Sequence, residues 1–146
     1  MAGGFETISG GTASGTQVNS GGSVFVISAT VSATIVSQGG VETVSRGGIA
    51  SGTTVLSGGG ENLIFSGTAI GTTVLSGGVE TVSRGGIASG TTLSVGGNQL
   101  VSSGGVACGT IVSSGGLEIV LSSGHTTGSV ISSGGMEIVL DRKSVV

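Results

Sequence analysis

The chain has 146 residues, 33 of them glycine and none proline; 8 % are charged and 2 % aromatic, so its length suits one domain but its side chains are too small for a wide globular core. The net charge is −3, and two of the four Lys and Arg lie in the last six residues, which argues against the clustered cationic surface that nucleic-acid binding needs. No apolar run approaches the ~18 residues of a membrane helix, the N-terminus MAGGFETISGG lacks the basic and apolar regions of a secretory signal, and a single cysteine forms no internal disulfide.

Taken in chain order, Gly-Gly pairs open units at Gly3, Gly21, Gly39, Gly58, Gly77, Gly96, Gly115 and Gly134. The intervals are 18, 18, 19, 19, 19, 19 and 19 residues. The unit reads GGxExVxxGGxAxGTxVxS, with positions numbered here from one to nineteen; the two shorter units lack a residue near position eight. The unit from Gly77 repeats the first sixteen residues of the unit from Gly39 without change. Such a period is the mark of a repeat architecture, not of the flexible linker that a Gly/Ser/Thr-rich composition would otherwise suggest.

Position six is aliphatic in every unit, from Ile8 and Val26 to Val120 and Val139, and so is position seventeen, from Val18 to Ile131. Position twelve is small, mostly Ala, and position fifteen is Thr or Ser throughout. Two β-rich runs, at positions four to seven and fifteen to eighteen, are punctuated by glycine and predict a strand–loop–strand unit. One unit cannot bury its own aliphatic pair. Stacking in register places each residue over its copy, with rungs about 4.8 Å apart as parallel strands. The fold predicted is an all-β parallel β-solenoid, right-handed by the usual crossover rule. It has seven to eight rungs and a height of roughly 35 Å, and forms a single array over residues 3–140.

Position four holds six of the seven acidic residues: Glu6, Glu42, Glu61, Glu80, Glu118 and Glu137, with Val24 and Gln99 in the remaining units. Its parity matches the core position six, yet an uncompensated buried carboxylate is very costly. A corner or bulge that frees these side chains to solvent is therefore expected. A cation ladder is the rival reading, but the Asp-bearing GGxGxD-like nonapeptide of calcium solenoids is missing, and no metal site is predicted. Arg46 and Arg84 share one position two rungs apart and are expected to pair with a nearby Glu at the surface, at little energetic gain. The inward hydroxyls at position fifteen are expected to bond along the axis.

Outward hydroxyls are expected at Ser45, Ser51, Thr54, Thr73, Ser83, Ser89 and Thr92. An ice-binding threonine array is a weaker alternative, since Gln17, Ile35, Ile111 and Val130 interrupt the column of Thr54. Cys108 lies in the predicted loop at position thirteen, and His125, at loop position eleven of the next rung, could approach it. A nucleophile needs a base oriented by a third group, which does not recur nearby, and two ligands do not make a metal site. Carbohydrate-acting solenoids carry paired carboxylates on one face, whereas here the acids form a regular column. No catalytic residue and no cofactor are predicted.

The frame GGVETVSRGGIASGTTVLSGG, Gly39 to Gly59, resembles the AIDA-type passenger repeat of autotransporter adhesins, and the likeness runs over residues 3 to 140. Family members more often carry Gln at position four, and Ser28 with Ala29 replaces the internal Gly pair of the second unit. The resemblance implies a passenger segment exported across the outer membrane and displayed on the bacterial surface. It also implies adhesion, self-association with like passengers, biofilm formation, and receptors on host or bacterial surfaces. It further implies O-glycosylation by a protein O-heptosyltransferase, for which the seven outward hydroxyls are the candidates. Membrane insertion by the segment itself is not expected. The alternative is the non-catalytic portion of a carbohydrate-acting β-helix enzyme. The last six residues, DRKSVV, match no unit and are expected to be non-native, so the array would be a piece of a longer passenger.

Overall fold

The structure, a computed structural model, describes residues 3–140. It is a parallel β-solenoid in which each of the first seven rungs contributes one strand to each of three sheets and the eighth adds a strand to the first. The first sheet has eight strands, stacked in sequence order from Phe5–Ser9 and Ser23–Ile27 through Val41–Ser45 and Gly60–Leu63 to Met136–Val139. The second has seven three-residue strands, from Thr12–Ser14 to His125–Thr127, and the third has seven two-residue strands, from Gln17–Val18 to Val130–Ile131. The tail from residue 141 lies outside the described residues.

Each rung pairs with its copy in strict register. Glu61 faces Glu42 on one side and Glu80 on the other, Ala69 faces Ala50 and Ala88, and Thr73 faces Thr54 and Thr92. One strand was not foreseen. Positions eleven to thirteen, read in the sequence as loop, form the second sheet, and both Cys108 and His125 lie in its strands. The run is too short to show a period of its own, and it is the stacking that makes it a strand.

The corners explain the paired glycines. At Ser45–Gly48 the chain reverses through a turn in which the Gly48 amide donates to the Ser45 carbonyl at 2.8 Å. The two central residues, Arg46 and Gly47, have φ of 48° and 77°. The first glycine of a pair thus supplies a left-handed conformation that a side chain resists. The second is demanded by packing: a Cβ on Gly67 would run into the Val44 carbonyl of the preceding rung.

The core is two apolar lines with a polar line between them. Val44, Leu63, Val82 and Val101 from the first sheet pack on Ala50, Ala69, Ala88 and Ala107 from the second, all 0–1 % exposed. Val55, Val74, Leu93 and Val112 from the third sheet form a cluster of their own. In the second rung the two lines merge, because Val24 stands where later rungs have Glu and joins Val26 to Val36.

Candidate functional site

The polar line is the structure's main departure from the sequence reading. No corner or bulge releases position four. Glu42, Glu61, Glu80, Gln99 and Glu118 lie inside regular strands and are all 0 % exposed. Only Glu6 of the first rung is exposed, and Glu137 of the last is half-buried.

What makes this tolerable is the hydroxyl column, whose shortest bonds run across each rung, with Thr34 and Thr53 also acting along the axis on Glu42 and Glu61. Thr53 donates to Glu42 Oε2 at 3.0 Å, Thr72 to Glu61 Oε2 at 2.9 Å, and Thr91 to Glu80 Oε2 at 3.0 Å. Thr110 donates to Gln99 Oε1 at 2.9 Å. In the seventh rung Ser129 replaces Thr, and the donor moves: Thr126 donates to Glu118 Oε1 at 2.9 Å. Having given its proton there, Thr126 accepts from Ser129 at 2.8 Å. In the second rung, where Val24 offers no acceptor, the buried Thr34 hydroxyl makes no bond within its own rung and faces Glu42 of the next, whose carboxyl it helps to hold lower. The closest contact between rungs is that of Gln99, whose Nε2 donates to Glu80 Oε2 at 2.6 Å.

The acceptors are not all satisfied. Glu42 Oε1, Glu61 Oε1 and Glu118 Oε2 are buried without a partner. Burial pushes the Glu42 carboxyl above its ordinary range, against the opposing effect of the threonine hydroxyls. It pushes Glu61 well above that range, helped by the charges of Glu80 and Glu42 on either side. Glu80 is raised to about 7, again by burial first, with the Thr91 and Gln99 hydrogen bonds holding it lower than it would otherwise be. Two signals in the sequence point to this arrangement: Gln99 stands in the acidic column, and position fifteen shares the inward parity of position seventeen.

The remaining candidates fall as follows. Ser51, Thr54, Thr73, Ser83, Ser89 and Thr92 are half-buried on the outer faces, and Thr54, Thr73 and Thr92 are consecutive neighbours in the third sheet. Ser45 does not meet the expectation of an accessible hydroxyl. At 6 % exposure it sits in a hollow of about 280 Å³ lined by Phe25, Ile27, Thr43, Arg46, Ile64 and Phe65, where larger neighbours in the flanking rungs shade it. Arg84 lies over the Phe65 ring, 5.7 Å from its centre, in place of the glutamate partner expected for it. His125 registers with Val106, and Cys108 with Thr127, so the strand register does not set the histidine beside the thiol. No cluster of three or more His, Cys, Asp or Glu among the described residues has the geometry to hold a metal ion.

Residues 83–135 match the family described as "Adhesin of bacterial autotransporter system, probable stalk". Over that span the chain resembles the stalk repeat of autotransporter adhesins. The solved structure of a hyper-glycosylated TibA fragment, whose glycosylation is catalysed by TibC, is similar over 97 % of this chain, at 34 % identity and a TM-score of 0.66. The chain spans 66 % of the length of that fragment. No curated protein sequence matches this one. Both likenesses are to autotransporter adhesins.

Proposed function

We propose that this stalk segment works by aligning with like passengers and with surface receptors, as a rigid non-catalytic rod. The observation that carries the reading is where the charges are. Among the described residues, four of the six glutamates are sealed in the core, and the rung faces between the ends expose only Arg46 and Arg84 as full charges. The outer faces are otherwise hydroxyls and partly exposed aliphatics such as Ile35, Ile70, Ile87 and Ile111, 39–48 % exposed. Two such rods approach without the repulsion that their acidic composition would suggest. Weak contacts repeated at every rung add up along the length. Light scattering and sedimentation over a concentration series should show reversible association that persists in high salt; a monomer throughout would count against the proposal.

Glycosylation by a protein O-heptosyltransferase is the second element of this reading, supported by the likeness to a TibC-glycosylated TibA fragment. Ser51, Thr54, Thr73, Ser83, Ser89 and Thr92 are its best candidates, and the shaded Ser45 is the poorest of the seven. Mass mapping of protein from cells holding such a transferase should find heptose-sized additions on these residues, and their absence would remove this element.

A further inference from the structure

Glu42, Glu61 and Glu80 occupy consecutive rungs of one inner strand face and are wholly buried. Among the described residues, the groups packed against them supply no cation. The second sheet presents Ala50, Ala69 and Ala88, and the hydroxyl line presents Thr34 below Glu42 and then Thr53, Thr72 and Thr91. Along the column itself the neighbours are the other acids, with Val24 below and Gln99 then Glu118 above. Arg46, Arg84 and His125 are all exposed on the outside. Three adjacent carboxylates without a counter-ion would each carry the desolvation penalty and repel one another.

Gln99 shows what the column accommodates. Its carbonyl accepts from Thr110, as the Glu oxygens accept from their threonines, and its amide donates to the carboxyl of the preceding rung. A protonated carboxyl has the same outline and the same pair of functions, one acceptor and one donor. Glu42 and Glu61 each have one oxygen bonded to threonine and one buried oxygen without a partner, where that donor would be. On Glu80, by contrast, donors converge from Thr91 and Gln99, so it is the member best able to hold a negative charge.

We propose that the column is a proton-binding ladder, in which Glu42 and Glu61 are held as neutral acids whose hydroxyls take the place of the Gln99 amide, and Glu80 is where the proton is first released. Folding of the rod then takes up protons. A carboxyl harder to ionise in the folded state than in the unfolded chain leaves stability intact below its ordinary value of 4.5. That stability is lost as pH rises through the folded-state value, which for Glu80 is about 7. The rod is therefore firmest in mild acid and loosens at its middle rungs in mild alkali, the reverse of ordinary acid unfolding.

The test is the thermal midpoint of the full chain from pH 5 to pH 9, by circular dichroism, beside the Glu42→Gln/Glu61→Gln/Glu80→Gln variant. The wild-type midpoint should fall by about 10 °C across the range, and the variant's should stay level. Infrared spectra of the wild type at pH 7 should show the carbonyl stretch of a protonated acid that disappears on unfolding. That readout needs no variant and decides the matter should the triple variant fail to fold. A wild-type midpoint that is flat or rises with pH, or no acid carbonyl band at pH 7, would overturn the proposal. So would a midpoint at pH 8 that calcium raises and a chelator lowers, because the column would then hold a cation.

Discussion

The Thr72 hydroxyl donates to Glu61 Oε2 at 2.9 Å, a bond closed inside one rung between side chains no more than 1 % exposed. Its counterpart in the second rung has no acceptor within its own rung: Thr34 sits where Thr72 does, but Val24 stands in the place of Glu61. This pair of rungs separates the value of the bond from the value of the position. Thr72→Val keeps the shape and removes the nearest donor to Glu61, so it should destabilise by about 1–3 kcal/mol. Thr34→Val removes a hydroxyl that bonds nothing in its own rung and only assists Glu42 of the next, so it should cost less than Thr72→Val. Urea midpoints at pH 7 compare the two, and equal losses would show that the hydroxyl line contributes through packing alone.

The same two rungs show what could be read in the sequence. The period, the parallel register and the aliphatic columns all follow from spacing, because a one-residue slip would turn every core side chain outward. The buried acids did not follow, because a carboxylate was weighed as a permanent charge. Once the carboxyl is allowed a proton and a threonine partner, its parity with position six needs no bulge. The second sheet was hidden for a different reason: Ile49–Ser51 and its copies are three residues long, and the pairing that makes them strands lies 19 residues away. Ser45 looked open by parity, and only the bulk of Ile27, Ile64 and Phe65 around it closes the site.

Ser66 and Gly67 divide the work of a Gly-Gly corner between a wrong residue and a right one. Ser66 has φ 63°, where Gly47, Gly85 and Gly104 stand in other rungs. Ser66→Gly should therefore stabilise by about 1 kcal/mol, and Ser123→Gly, at φ 64°, by a similar amount. Gly67→Ala should do the opposite. Its methyl group meets the Val44 backbone, which cannot move without breaking the ladder, so a loss of about 1–3 kcal/mol or more is expected. Thermal midpoints of the three single variants check the signs; a stabilising Gly67→Ala would mean that the rungs part more easily than the register implies.

Cys108 is half-buried on a strand whose neighbours in register are Ser89 and Thr127. Ser is accommodated at the same height in the adjoining rung, so Cys108→Ser should change stability by less than about 0.5 kcal/mol. Association in the light-scattering series should also be unchanged, with or without reductant. Loss of association on this substitution would make the contact between rods a disulfide between copies, not a set of repeated face contacts.

The polar line also sets how core substitutions combine. Val44 and Val55 belong to the third rung and to different apolar clusters, with Glu42 and Thr53 bonded between them. Val26 and Val36 hold the same two positions in the second rung but share one cluster through Val24. Truncating any of these valines to Ala removes buried contacts and leaves a small cavity. In the third rung the two cavities are walled off from each other, so the double variant should cost the sum of the singles within about 0.5 kcal/mol. In the second rung Val24 can shift toward either cavity, and the Val26→Ala/Val36→Ala pair should depart from additivity by about 0.5 kcal/mol or more. Denaturant titrations of both cycles at pH 5 provide the comparison. Equal coupling in the two rungs would mean that the Glu–Thr bond does not partition the core.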